Sequence, residues 1–138
     1  MTAKPVRTEP TPTAATVLYI EDSHINTMLV QRILRARPGV MFRSAPDGRT
    51  GLDRVEQLRP DLVLLDLELP DLDGAQVLAA LRASATTRGI PVIVVSGDSD
   101  PAVHRRTLAG GASFFLIKPY EITDLLRAVD DSLRGDRR

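Results

Sequence analysis

The sequence predicts an α/β fold: five parallel strands in one doubly wound sheet, with helices on both faces. Three observations predict it. Four short apolar runs, Val17-Leu18-Tyr19-Ile20, Leu62-Val63-Leu64-Leu65, Val92-Ile93-Val94-Val95 and Phe114-Phe115-Leu116-Ile117, read as strands buried on both sides. Helix-like segments separate them, and such alternation implies right-handed crossovers. Each run also ends on a polar group: Glu21-Asp22, Asp66, Ser96 and Lys118-Pro119. The carboxyl ends of parallel strands share one edge, where open sheets bind ligands. Three carboxylates, a hydroxyl and an amine are therefore expected at one place.

Taken in order, residues 1–15 are rich in Thr, Pro and small residues without periodicity, and read as a flexible arm. A strand over 16–20 is followed by a helix over 24–37, stopped by Pro38-Gly39. A strand over 40–45 leads to a helix over 48–58, with Asp47 as its N-cap. The strand over 61–66 runs into the turn Leu69-Pro70-Asp71-Leu72-Asp73-Gly74 and a helix over 74–84. A strand over 91–95 precedes a helix over 99–109, ended by Gly110-Gly111. A strand over 112–117 and a helix over 121–134 complete five βα units. One domain thus spans 16–135, and 136–138 form a tail.

The last helix is amphipathic, with Ile122, Leu125, Leu126, Val129 and Leu133 on one face. In the first, Ile25, Met28, Leu29, Val30, Ile33 and Leu34 cover roughly two thirds of the circumference, wider than the ~100° stripe of a surface helix. The plainer expectation is a deeply packed helix near the sheet centre. The alternative leaves Ile25 or Met28 exposed for a partner helix.

The chain has 138 residues with 18 basic and 18 acidic side chains, so its zero net charge gives no reason to expect nucleic acid or an anionic membrane as partner. It has no cysteine, which excludes disulfides, thiolate chemistry and Cys-based zinc sites. No stretch has the length of a membrane span and the first fifteen residues lack an apolar core, so a cytoplasmic protein is the default expectation.

Carboxylates that converge cannot all stay ionised without a counter-ion. An acidic pair with retained waters suits Mg²⁺ and a phosphate oxygen. Lys118 adds a point charge and Ser96 a hydroxyl donor. Together they form a pocket for a phosphoryl group moved onto a carboxylate, a reaction that needs positioning and charge neutralisation. Asp66 is the natural nucleophile, because it ends the most apolar strand and is expected mid-sheet.

These residues resemble the signature of bacterial response-regulator receiver domains. The separations match as well: 44 residues from Asp22 to Asp66, 30 from Asp66 to Ser96 and 22 from Ser96 to Lys118. The Leu-Pro-Asp-Leu-Asp-Gly turn and Ala-Gly-Gly-Ala-Ser before the last strand are also similar, and the likeness covers about residues 16–135. The resemblance implies a flavodoxin-like sheet of order 2-1-3-4-5. It implies that Asp66 takes a phosphoryl group from the phosphohistidine of a sensor histidine kinase or histidine phosphotransfer protein. Glu21, Asp22, Asp66 and the backbone carbonyl of Glu68 would hold Mg²⁺, or Mn²⁺ in its place, with Glu21 acting through water. Lys118 would neutralise the phosphoryl oxygens and Ser96 would hydrogen-bond one of them. Phe115 would rotate in behind Ser96, altering the face that binds a downstream protein. Lys118-Pro119 would be cis.

Glu21 stands where Asp is commoner, Ser96 where Thr is, and Phe115 lacks a phenol. Glu68 adds a carboxylate beside the acceptor and is expected to tune the acyl-phosphate lifetime, while Gly97 leaves room for a donor imidazole or a phosphatase. Other signals carry less. Asp71-Leu72-Asp73-Gly74 lacks the remaining ligands of a calcium loop, since Leu69 and Ala80 stand where acids are needed. His24 and His104 have no partner at ligand spacing and read as surface residues, though His24 lies near the acidic pair.

A haloacid-dehalogenase-like hydrolase uses similar groups in a different order, with its nucleophile on the first strand and its acidic pair last. A phosphorylation-independent scaffold is the other rival. No output module follows Leu133, so the chain reads as a stand-alone receiver or one cut from a longer protein, monomeric or weakly dimeric. Tyr19-Ile20-Glu21-Asp22-Ser23-His24-Ile25-Asn26 is similar to receivers attached to hybrid kinases.

Overall fold

The computed structural model describes residues 14–135, so most of the expected arm and the whole 136–138 tail lie outside the described residues. Ten elements alternate without exception: β1 Ala15–Ile20, α1 His24–Leu34, β2 Val40–Ala45, α2 Gly48–Leu58, β3 Leu62–Asp66, α3 Gly74–Ala83, β4 Val92–Ser96, α4 Pro101–Ala109, β5 Phe114–Ile117 and α5 Ile122–Leu133. The five strands are parallel in the order β2-β1-β3-β4-β5, so β3 is central.

The apolar runs divide by the two-residue period of a strand. Val17, Tyr19, Leu62, Leu64, Ile93 and Val95 pack beneath α1 and α5 with Val30, Ile33, Leu125 and Val129. Leu18, Ile20, Val63, Leu65, Val92 and Val94 pack beneath α2 and α3 with Val55, Val77, Leu78 and Leu81. Covering both faces is why these strands carry no polar alternation.

Several boundaries differ from expectation for identifiable reasons. The first helix ends at Leu34 rather than 37, its last turn tightening through Arg35 N–H to Arg32 O and Arg37 N–H to Leu34 O. Pro38 disfavours helical backbone at the residue before it. Arg37 instead reaches α5, pairing two of its guanidinium nitrogens with the Asp130 carboxylate at 2.7 Å. The fourth helix starts at Pro101, not 99, because Asp100 caps it by accepting from Ala102 N–H and Pro101 fits the first turn. β5 begins at Phe114, two residues later than expected. Asp47 caps α2 through Thr50 N–H, as its position predicts.

The first helix corrects the deep-packing expectation. Only Val30, Ile33 and Leu34 are buried, whereas Ile25 is 77 %, Met28 55 % and Leu29 50 % exposed. A helix on one face of a sheet has a single stripe to bury, and the wider apolar surface is left outside. Ile122 of α5, expected on the buried face, is also exposed.

Arg82 holds the opposite flank of the sheet. Its guanidinium donates to Gly111 O at 2.8 and 3.0 Å, to Ile90 O at 2.8 Å and to Arg88 O at 3.1 Å. One cation thereby joins the loops that lead into β4 and β5.

Candidate functional site

Strand register assembles the site. Ile20 pairs with Leu65, Asp66 with Val95 and Ser96 with Ile117. Each polar group therefore follows the last paired residue of its neighbour, and four distant segments meet at one edge. One carboxylate oxygen from each of Glu21, Asp22 and Asp66 lies within 4.8 Å of the other two.

Glu21 is buried and surrounded by donors. Its Oε1 accepts from the Tyr19 phenol at 2.9 Å, from Lys118 Nζ at 3.3 Å and from Asn26 Nδ2 at 3.4 Å. Its Oε2 accepts from Ser23 N–H at 3.1 Å. Burial works against the charge, but the Ser23 N–H, Asp66, the Tyr19 phenol and Lys118 outweigh it, and the Glu21 carboxyl stays below its ordinary value. The Tyr19 phenol is pushed strongly upward, by burial first and by the Glu21 charge beside it, so it acts as a donor.

Asp66 is only 3 % exposed. Its Oδ1 accepts from Glu68 N–H at 3.0 Å and its Oδ2 from Lys118 Nζ at 3.3 Å. Burial pushes its carboxyl up to about 7 against the Glu68 N–H, and the neighbouring Glu21 adds to the rise. Lys118 is held above its ordinary value: burial opposes its charge, but Asp66 and Glu21 prevail. The Lys118-Pro119 peptide that presents it is cis.

One amine thus pairs with two buried carboxylates, beside a third that is exposed. A hard divalent cation fits that donor set, and the exposed Asp22 leaves the cluster open to the waters Mg²⁺ retains. Glu21 Oε1 already serves three protein donors, consistent with contact through water. The side-chain oxygens of Asp22 and Asp66 and the Glu68 carbonyl are the remaining groups of the expected ligand set.

Ser96 ends β4, one residue further into the strand than expected, and is fully buried. Its Oγ donates to Glu68 Oε2 at 3.0 Å and accepts from Asp98 N–H at 3.0 Å. A Cβ on Gly97 would meet no atom within 4 Å, so the approach beside Ser96 is open. Phe115 is half-buried against the α2/α3 core, its ring stacked on His104 of α4 with centroids 4.6 Å apart. His104 is therefore not the free surface residue the sequence suggested, whereas His24 is exposed.

The turn after β3 is fixed from two sides. Asp71 accepts from Gly48, Arg49 and Leu72 N–H groups at 2.7–2.9 Å, binding the turn to the start of α2. Gly74 passes so close to β3 that a Cβ there would lie 2.5 Å from Leu67 Cα and 2.6 Å from Asp66 O. Beside the cluster, Tyr19, Leu29, Ile33, Lys118, Tyr120 and Ile122 line a groove of about 490 Å³ between α1 and the start of α5.

Sequence reasoning missed Tyr19 and Asn26 as partners of Glu21, and the Glu68 side chain as partner of Ser96. Tyr19 carried a usable signal, because residues two apart on a strand point the same way. The other two depend on loop conformations that spacing does not encode.

A family model described as the response regulator receiver domain matches residues 17–130. The chain is 36 % identical over 112 residues to a protein-glutamate methylesterase/protein-glutamine glutaminase of Koribacter versatilis, covering 79 % of this chain and 30 % of that protein. It also resembles the receiver domain of a signal transduction histidine kinase from Syntrophus aciditrophicus, with TM-score 0.81 and 31 % identity over 91 % of this chain and 94 % of that one. A receiver domain of a sensor histidine kinase from Pseudomonas aeruginosa, described with a magnesium ion in its active-site cleft, gives TM-score 0.79 at 26 % identity, over 88 % of this chain and 98 % of that one. The chain spans less than two thirds of the length of the first curated relatives it matches, about 30 % in two cases and 56 % in a third.

Proposed function

Because the chain belongs to the response regulator receiver domain family, we propose that Asp66 accepts a phosphoryl group from a phosphohistidine of a sensor histidine kinase or a histidine phosphotransfer protein. The observation that carries this reading is the setting of Asp66. A buried carboxylate ends the central strand, with an amine at 3.3 Å on one oxygen and two further carboxylates within 4.8 Å.

An Asp66 oxygen attacks phosphorus, the phosphorus–nitrogen bond breaks, and its electron pair returns to the donor imidazole. Lys118 shifts its pairing from the free carboxylates to the phosphoryl oxygens, so their charge is neutralised without reorganising solvent. A Mg²⁺ held by Asp22, Asp66, the Glu68 carbonyl and, through water, Glu21 supplies further charge neutralisation when bound. Glu68 N–H, already on Asp66 Oδ1, keeps the carboxylate aimed. Ser96 donates its hydroxyl to a phosphoryl oxygen, and Phe115 follows it, changing the surface of α4, β5 and α5 that a downstream protein reads.

Donor docking belongs to the other side. Ile25, Met28 and Leu29 form an exposed apolar strip on α1 that continues through the groove to Ile122. Lys118 lines the same groove, so a donor helix seated there lies within reach of Asp66. The open space beside Gly97 admits the imidazole or a phosphatase, and the Glu68 carboxylate tunes the acyl-phosphate lifetime by acting on the hydrolytic water. Among the described residues no helix is long and apolar enough to cross a membrane, in keeping with a cytoplasmic switch that turns over no external substrate.

The test is intact mass after incubation with acetyl phosphate and Mg²⁺, beside Asp66→Asn. One phosphoryl adduct, prevented by EDTA and absent from the variant, is expected. The absence of both an adduct and released phosphate would favour a scaffold, and phosphate release without an adduct would favour a hydrolase.

A further inference from the structure

We infer that Glu68 is a positioning residue for Ser96: its carboxylate latches the hydroxyl away from Asp66 in the resting protein and is displaced by charge when Asp66 is modified. This deepens the receiver reading and rests on it only for the second half.

The latch is visible in the hydrogen bonds. Ser96 has one hydroxyl proton, and it is committed to Glu68 Oε2 at 3.0 Å. The same oxygen accepts from Asp98 N–H, which fixes the rotamer from the loop side. A hydroxyl held this way has no proton to offer a group on Asp66. Because the acceptor is a carboxylate, the bond is stronger than one between neutral groups.

The release is built into the same residue. Glu68 is bound to Asp66 through its backbone, N–H to Oδ1 at 3.0 Å, while its side chain is exposed and borders an open cavity. A phosphoryl group on Asp66 brings added negative charge within a few ångströms of that carboxylate, and like charges at this range repel. The backbone anchor stays and the side chain swings outward. Ser96 is then left with a free proton beside a strong acceptor. Lys118 and a bound Mg²⁺ offset part of the phosphoryl charge, but Lys118 is hydrogen-bonded to Asp66 and Glu21 and not to Glu68, so the Glu68 carboxylate keeps its own charge and still feels the repulsion. The Glu68 effect on acyl-phosphate lifetime concerns the modified protein; the latch acts before modification.

Asp98 N–H supplies a direct reporter, since its partner is Ser96 Oγ. The experiment follows the Asp98 amide by ¹⁵N-resolved NMR and hydrogen exchange in unmodified wild type, Glu68→Ala, Glu68→Gln, Ser96→Ala and Glu68→Ala/Ser96→Ala. In Glu68→Ala the freed hydroxyl turns inward and the Asp98 amide exchanges at least about tenfold faster, with an upfield shift. Glu68→Gln, whose amide oxygen still accepts, stays close to wild type. In the Ser96→Ala background, Glu68→Ala adds nothing, as a double-mutant cycle requires of a coupled pair. An unchanged Asp98 amide in Glu68→Ala, or the same change with and without Ser96, would overturn the latch.

The displacement half is read by adding beryllium fluoride and Mg²⁺. Wild type is expected to move toward the Glu68→Ala position, and Glu68→Gln to move less at equal saturation, because it lacks the repelling charge. Equal movement would overturn displacement by charge. Failure of acetyl phosphate to label Asp66 would instead overturn the phosphoacceptor reading, while the resting-state comparison still decides the latch.

Discussion

The Tyr19 phenol donates to Glu21 Oε1 at 2.9 Å, joining two buried side chains that stand two residues apart on the central part of the sheet. The bond makes a strand residue of the core responsible for the orientation of a site carboxylate. Tyr19→Phe removes the shortest of three donors to a buried oxygen, leaving Lys118 and Asn26 at 3.3 and 3.4 Å. A loss of about 1–3 kcal/mol is expected. Urea unfolding with EDTA and with Mg²⁺ checks it, and the loss should be smaller with the cation, which takes over part of the missing compensation.

Asp66 gives the metal-free protein a pH dependence of definite sign. Its carboxyl is raised from the ordinary aspartate range to about 7, chiefly by burial. Between those values the folded chain keeps a proton that the unfolded chain has lost, so stability falls as pH rises through 7. Asp66→Asn carries no such penalty. In EDTA it is expected to exceed wild type by about 2–4 kcal/mol at pH 8, a margin that shrinks toward pH 4. Glu21, lowered, acts oppositely at the acid end: its contribution is present above the ordinary glutamate range and is lost as pH falls through its depressed value. Unfolding curves of the two proteins from pH 4 to 8 resolve both.

Lys118→Met leaves Glu21 and Asp66 buried without their shared cation. Removing one member of a buried ionic group costs about 3–5 kcal/mol. The cost should be largest at pH 8, where both carboxylates are ionised, and smaller near pH 5, where Asp66 holds its proton and Glu21 alone remains charged. Equal losses at both pH values would mean that Lys118 contributes packing rather than charge.

Met28→Glu tests the α1 strip. The side chain is 55 % exposed, so stability should change by less than about 0.5 kcal/mol. Labelling by acetyl phosphate should match wild type, whereas transfer from a phosphohistidine protein that labels wild type should slow at least about tenfold, because a charge now opposes apolar docking. Slowing of both reactions alike would place the effect in the site itself.

Gly74→Ala tests the close approach behind Asp66. The added Cβ meets backbone at 2.5 and 2.6 Å, and backbone cannot rotate away as a side chain can. A loss of about 2 kcal/mol or more is expected, with weakened Mg²⁺ binding because the end of β3 must move. Thermal melts and cation titration measure the two effects.

The elements, their order and the membership of the site were legible because buried strands and their terminal polar residues are local signals. Asp66, Ser96 and Lys118 each followed an apolar run, and parallel register did the rest. What escaped was relational. Periodicity shows that α1 is apolar over a wide arc but not which part the sheet covers, so it favours deep packing over the alternative that leaves Ile25 or Met28 exposed, and both are exposed here. His104 looked isolated because its partner Phe115 lies on the next strand and meets it only through the α4–β5 turn. The Glu68 side chain was read as a neighbour of hydrolytic water, yet in the resting protein it also holds Ser96 across the gap between β3 and β4.

The site draws Glu21 and Asp22 from the end of β1 and one group each from the ends of β3, β4 and β5, between residues 21 and 118. No contiguous half of the chain contains even the three carboxylates together with their amine. The cluster therefore comes into being only when the long-range pairings of the whole sheet are complete, late in folding for a topology of this kind. On the proposed function, a nascent or partly unfolded chain has no competence to be labelled, so phosphorylation would report on finished molecules alone, and any cation bound there would stabilise the global fold rather than a fragment of it.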